Sequence, residues 1–492
     1  MRIVTSFFLF LFFFTAGNAQ VCFETFNPKK QLVATTMLCP SAMQEDLEQL
    51  HKHILNTHPN PTYYGELNDL STAYQNALSK INKPLSVFEF LVVVNAYLNV
   101  LKDSHTGINP KQFLYGVNFK RKVLPFSVAQ IDHKFFVKSA IDPAFTIGAE
   151  LIDIDQYKVT ELFEYGKMLS LTEGQADEAT HEIAGEYISV AYNLLSMSMS
   201  ETKTAQVKMV KVEGDTVQRE IAFLSSWKYF LDSYFIDSDP IVSYSFDGQN
   251  NALLTINSFE PLSLNHFKKE LDAFFKEVKL RNCPVLYIDL RNNLGGLLRA
   301  EEYLFSYINT KDTPIQTNYL YKRSDYDRFA MLSPFQQIQF VNRAKHYYPE
   351  GLISKEYDFY KLPKGATCTI LYDYIPKNNL NYVYNGDCKL VLNANSMSAS
   401  VLFAGWFKFI NRGEILGATC MGGIGGTFGN PAVITLHHTR IEVMVSTLKF
   451  TPLHIHERIL APIVPDVPLK ASRQDLIEKR DPFLEYLKNH HQ

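Results

Sequence analysis

Lys389–Ile410 reads KLVLNANSMSASVLFAGWFKFI. Leu390 to Leu392 is an apolar run suited to a buried strand. Leu402, Phe403, Trp406, Phe407 and Ile410 then recur at helical spacing, so the stretch predicts strand, tight corner and helix with no loop between them. Ser396, Ser398 and Ser400 fall at the corner. A hydroxyl there lies beside the unpaired N–H groups and positive end of a helix, which suits a nucleophile in acyl transfer and equally a simple helix cap. The stretch alone leaves both readings open.

Upstream, Pro284–Leu290, PVLYIDL, reads as a fully buried strand running into Arg291-Asn292-Asn293-Leu294-Gly295-Gly296, whose two glycines let backbone approach a ligand closely. From about Asp239 strand and helix alternate: ALLTINSF, a helix over Leu264–Lys279, PVLYIDL, a helix over Leu297–Ile308, then KLVLNA and its helix. That order predicts a parallel α/β arrangement. Thr310–Lys364 is polar, tyrosine-rich and weakly patterned, and is read as an insertion that covers the active-site face.

DLRNNLGG followed about a hundred residues later by SMSAS resembles peptidase family S41, the C-terminal-processing and tricorn-like serine peptidases. The resemblance implies Ser398 as nucleophile, with the N–H of Gly295 or Gly296 and that of Ala399 as oxyanion donors. Val401 departs from the pattern, standing where many members carry Glu. The fold implied is α/β plus β: a ClpP/crotonase-like α/β catalytic core with an N-terminal helical segment and a PDZ-like β-domain.

In the N-terminal part, Ser41 to about Ser104 is helically patterned. Ser86-Val87-Phe88-Glu89 is a capping box opening a helix that ends near Asp103. Asp103-Ser104-His105-Thr106 follows; its histidine reads by itself as a loop residue. The tricorn-like branch of S41 places a Ser-His pair here, often within D-x-H-T, which implies His105 as general base, the role a serine hydroxyl needs near neutral pH. From Leu124 to Leu224 the signals are mostly strands, LPFSVAQ and KFFVKSA separated by Ile131-Asp132-His133, with a helix expected over Glu178–Met199. Ile147–Val159 is similar to the PDZ signature, which would recognise extended peptide, but Asp155-Gln156-Tyr157 replaces its Asn-Gly; a plain β-spacer is the other reading.

Between Ser398 and Lys449 lies one lysine, Lys408, ten residues down a helix and about 15 Å along its axis, so a Ser-Lys dyad is not expected. Gly422-Gly423 stands where the Ser-Lys branch carries its base. The tricorn-like branch completes a tetrad with a downstream glutamate before a Pro-Asp pair, which implies Glu457, ahead of Pro465-Asp466, as the residue orienting Ser104 and His105. A surface ion pair with Arg458 is the other reading of Glu457, and His454 and His456 are rivals for a histidine role.

The 492 residues predict two or three domains. The division read is signal peptide 1–19, helical segment 20–118, PDZ-like β-domain 119–235 with a helical insertion, and peptidase core 236–492 with insertion 310–364. Met1-Arg2, an apolar run over Phe7–Phe14 and Thr15–Ala19 form a signal peptide, predicting an exported protein that is periplasmic, on the outer surface or extracellular. No stretch reaches the roughly 20 apolar residues of a membrane span. Net charge is −3 without a basic tract, which argues against nucleic acid as a partner. No Cys or Cys/His spacing suggests zinc, and no cofactor is expected. Cys22 with Cys39 and Cys368 with Cys388 are the nearest cysteine pairs, neither established by sequence. The reading is an exported serine peptidase acting on peptide or protein substrates; the alternative is a non-catalytic peptide- or ligand-binding protein on the same fold.

Overall fold

Val285–Asp289 and Asp387–Leu392 lie side by side as parallel strands, Ile288 opposite Leu390, in a computed structural model that describes residues 22, 36–108, 124–142, 145–170, 172–196, 203–224, 240–310, 315–324, 333–336, 338–339, 362–374, 382–452 and 458–490. They are the middle of a six-stranded sheet in the order Val242–Phe246, Ala252–Ile256, Val285–Asp289, Asp387–Leu392, Ile415–Gly417 and Val467–Pro468. The first pair is antiparallel and the others are parallel. Leu286, Ile288, Leu290, Leu390 and Leu392 are buried with Phe274 and Phe275 of the helix Leu264–Arg281, Phe305 of Leu298–Ser306, and Phe403 and Phe407 of Ala399–Phe409. The alternate residues Tyr287, Val391 and Leu416 pack on Phe483 of the helix Pro482–His490. Burial on both faces explains why these strands read as unbroken apolar runs.

A four-stranded antiparallel sheet stands beside it, in the order Thr367–Tyr374, Ile315–Lys322, Leu448–Pro452 and Thr427–Gly429. Within 310–364, read as weakly patterned, Ile315–Lys322 is a strand: Thr317, Tyr319 and Tyr321 are buried at spacing two, so these tyrosines are core residues. Most of the rest of that stretch lies outside the described residues.

Phe126–Ile131 and Lys134–Ala140 form the expected hairpin, turned through Asp132 and His133, both at positive φ as its tight loop requires. Glu150–Ile154, Thr204–Val210 and Thr216–Ala222 extend that sheet. The helix expected over Glu178–Met199 is two helices, Asp177–Ala184 and Ile188–Ser196, divided by a tighter turn at Gly185–Tyr187. A further helix, Val159–Leu169, was not read from the sequence.

Ser41–Ser104 holds Pro40–Thr57, Leu67–Lys80 and Val87–Leu98, and the capping box is present, with Ser86 Oγ accepting from Glu89 N and Glu89 accepting from Ser86 N. Cys22 and Cys39 are joined by a disulfide, whereas Cys368 and Cys388 sit on strands of different sheets and are free thiols. The expected signal peptide lies outside the described residues. Among those described, no helix is long and apolar enough to cross a membrane.

Candidate active site

The three serines of the corner divide by their hydrogen bonds. Ser396 Oγ donates to the Leu290 carbonyl and Ser400 Oγ to the Asn293 carbonyl, each at 2.9 Å, and both side chains are buried. With Met397 N donating to Asn293 O at 3.0 Å, they fasten the corner to the Gly-Gly loop. Ser398 lies between them at φ 54°, ψ −115°, a backbone region that costs a non-glycine residue about 1–3 kcal/mol. Its partly exposed hydroxyl meets His105 Nε2 at 3.1 Å across 293 residues of chain.

His105 arrives because Gly107–Ile108 adds a short strand to Glu442–Val445, and Ser446 N donates to Thr106 Oγ1 at 3.0 Å. Asp103, fully buried below it, accepts His105 N at 2.9 Å and His58 Nε2 at 3.0 Å, and Thr106 Oγ1 donates to it. Asn60 N donates to His58 Nδ1, so His58 is the neutral tautomer protonated at Nε2. Although burial opposes it, the hydrogen bonds from His58 and Thr106 hold the Asp103 carboxyl down at about 2.

His105 Nδ1 is 3.2 Å from Ser104 Oγ, and Ser104 Oγ donates to Glu173 Oε2 at 2.6 Å. Glu173 also accepts Ser104 N at 2.8 Å, Tyr64 OH at 3.0 Å and Phe428 N at 3.4 Å. With the Ser104 proton directed at Glu173, His105 Nδ1–H donates to Ser104 Oγ and Nε2 presents its lone pair to Ser398. Burial lowers the imidazole pKa against the pull of Asp103, which favours that neutral form. Burial and Asp103 raise Glu173 to about 7 against the Ser104 hydrogen bonds and the Lys449 charge.

Glu457 lies outside the described residues. Among the described residues the carboxylate that meets Ser104 is Glu173, 69 residues away in sequence, in the segment between the helices Val159–Leu169 and Asp177–Ala184. Gly174 holds it there: its N donates to the Lys102 carbonyl, its φ is +58°, and a Cβ would stand 2.7 Å from the Tyr64 ring. Nothing in the Thr172-Glu173-Gly174 pattern announces this role. Tyr64, His58 and Lys449 were missed for the same reason, being surroundings of a buried carboxylate that sequence spacing does not reveal. Lys408 is exposed, as expected of a residue outside the chemistry.

Of the glycine pair, Gly295 N donates to Asn293 Oδ1 at 2.9 Å, so its N–H is already engaged. The N–H groups of Gly296 and Ala399 meet no acceptor among the described residues. Gly295 lies against Ser398, where a Cβ would be 2.7 Å from the serine Cβ. Gly296, at φ +142°, lies against strand-like backbone: a Cβ there would be 2.3 Å from the Phe259 carbonyl carbon. Gly296→Ala is therefore expected to displace the loop, and, with Gly296 N–H in the oxyanion role the resemblance implies, to lower turnover about 10²- to 10³-fold in a peptide-hydrolysis assay. Val401 is buried against Gly422, a packing role.

Asp103, His105 and Glu173 are the described group whose donor atoms are close enough to share a metal ion. Their oxygens and His105 Nδ1 are taken up by His58, Thr106, Ser104 and Tyr64, so the arrangement works as a hydrogen-bonded chain.

Residues 250–451 match the model of Peptidase family S41. No curated protein matches the chain. Among solved structures, mature CPAF is 16% identical with a TM-score of 0.63, covering 91% of this chain and 96% of that one. Mature CPAF complexed with lactacystin is 14% identical with a TM-score of 0.62, covering 92% and 97%. At these identities the likeness is one of fold.

Proposed function

We propose that this chain, which belongs to peptidase family S41 and is a serine-type peptidase, hydrolyses peptide bonds with Ser398 as nucleophile and His105 as general base. The observation that carries the reading is the 3.1 Å contact between Ser398 Oγ and His105 Nε2 beside two unengaged N–H groups. Ser398 Oγ attacks the scissile carbonyl carbon as its proton passes to His105 Nε2, and the oxyanion forms between Gly296 N–H and Ala399 N–H. The imidazolium then returns the proton to the leaving nitrogen as the C–N bond breaks, leaving an acyl-Ser398 ester. Water, deprotonated by His105 Nε2, attacks the ester carbonyl; the C–Oγ bond breaks as Nε2 returns the proton to Ser398 Oγ, releasing the acid product and the free hydroxyl. Ser104 and Glu173 touch no reacting atom; they hold the imidazole in the tautomer the step needs.

The purified full chain is expected to be labelled by a fluorophosphonate at Ser398, identified by mass spectrometry of the labelled peptide. Failure to label, with the protein folded, would favour the non-catalytic binding reading, against which the intact Ser398–His105–Ser104–Glu173 chain of contacts counts.

Glu173→Gln is expected to lower kcat about 10- to 100-fold with KM little changed, because the geometry of the base matters in the transition state. The parallel variant Glu457→Gln ranks the two carboxylates. A larger loss there would move the orienting role to the downstream glutamate.

The finer reading is a ClpP/crotonase-like core over 236–492 beside a PDZ-like module over 119–235, supported by the parallel order of the central sheet and by the separate core built on Phe126, Val137, Leu151, Leu162 and Val207. Export rests on the pattern of residues 1–19.

A further inference from the structure

Lys449 stands outside the proton path, yet it is 1% exposed on the strand Leu448–Pro452. Its Nζ donates to the Gly425 carbonyl at 3.1 Å and otherwise faces rings, 4.0 Å from the centroid of Tyr63, 4.8 Å from Phe428 and 5.9 Å from Tyr64. An ammonium carries three donors and costs several kcal/mol to bury unpaired, so one carbonyl and three aromatic faces, its partners among the described residues, are an incomplete set. What completes it is the charge of the two buried carboxylates, Glu173 and Asp103, which act on it through space. The oxygens of Asp103 are saturated by His58, Thr106 and His105 N, but Glu173 is held by neutral donors, among them Tyr64 OH and Phe428 N from the same cage.

We propose that Lys449 is a positioning residue for the peptidase reaction: its caged ammonium is the counter-charge that keeps the Glu173 carboxylate ionised, so that Ser104 and His105 stay aligned on Ser398. This rests on the reading of Glu173 as the orienting carboxylate. Among the described residues the ionisable groups around the cage are Glu173, Asp103, Tyr63 and Tyr64, with the His58 ring tilted against Phe428 at 4.5 Å and the Arg458 charge felt at Tyr63. Lys449 is the cation buried among them. Burial lowers its pKa to about 8 against the two carboxylates, so it is charged at neutral pH, where Glu173 titrates.

The sign of the effect follows. Taking away the cation raises the pKa of Glu173 further, so at neutral pH the carboxyl is protonated, and ionisation returns only at higher pH. The test uses the full chain and two readouts. Infrared difference spectra between protein with and without Glu173→Gln follow the carboxyl stretch of Glu173 against pH, independently of catalysis. Steady-state peptide hydrolysis gives kcat and KM. In Lys449→Met the Glu173 midpoint is expected to rise by about one pH unit. Its kcat should fall about 5-fold at about pH 7, as the ionised fraction of Glu173 does, with KM nearly unchanged, and recover as pH is raised. In the Glu173→Gln background, Lys449→Met should cause no further loss, whereas a merely structural lysine would cost the same in both. Should the methionine variant not fold, Lys449→Gln, which keeps a donor for Gly425, takes its place. An unmoved Glu173 midpoint, or equal losses in the two backgrounds, overturns the proposal. Absence of fluorophosphonate labelling would overturn the peptidase assignment while the infrared midpoint still reports on Lys449.

Discussion

Ser398→Ala should lower kcat/KM for peptide hydrolysis by about 10⁴- to 10⁶-fold, as removal of a triad nucleophile does, and abolish fluorophosphonate labelling. The melting temperature should move by no more than about 2 °C, because the lost hydroxyl is partly exposed and its bond to His105 is not part of the core. The neighbouring serines provide the contrast. Ser396→Ala and Ser400→Ala each remove a buried donor from a backbone carbonyl, Leu290 or Asn293, and should cost about 1–3 kcal/mol of stability while leaving labelling of Ser398 detectable. The reverse pattern, with stability lost at 398 and labelling lost at 396 or 400, would place the nucleophile wrongly.

His105→Ala should be nearly as severe, about 10⁴- to 10⁶-fold in turnover, since serine and base act as a unit. Retained hydrolysis in this variant would remove the Ser-His assignment altogether. The pH profile supplies an independent check. Catalysis needs His105 neutral and Glu173 ionised, so both protonations act on the acid side. Burial pushes His105 down and Glu173 up to about 7, so in the intact protein kcat/KM should fall as pH drops through about 7. In Glu173→Gln that limb should move to lower pH, leaving the histidine alone to set it. A profile flat from pH 8 to 5 would contradict both assignments.

Much of the core was legible because its signals are local. The apolar runs at 285–289 and 387–392, the helical spacing from Leu402 to Ile410, the capping box at Ser86 and the hairpin at Asp132-His133 each follow from steric and hydrophobic rules acting over a few residues. The tyrosine-rich strand Ile315–Lys322 was not legible. Its alternation is partial, and only pairing with Leu448–Pro452 and Thr367–Tyr374 decides which face is buried.

The candidate site divides in the same way. Sequence by itself placed three serines at a strand-to-helix corner and a glycine pair after a buried strand; the resemblance to family S41 alone paired them and, through the D-S-H-T pattern, implied a histidine to serve the serine. Tertiary structure supplied the physical distinction among the three serines, since Ser396 and Ser400 are spent on carbonyls more than a hundred residues away. It also decided which glycine N–H is unengaged, and that Glu173 rather than a nearer carboxylate receives the Ser104 hydroxyl. The physical reason is that a buried charge takes its partners from whatever packing brings within about 3 Å. Those partners, here Tyr64, Ser104 and Phe428 around Glu173, and Tyr63 and Gly425 around Lys449, come from three separate segments whose spacing in sequence carries no trace of the contact.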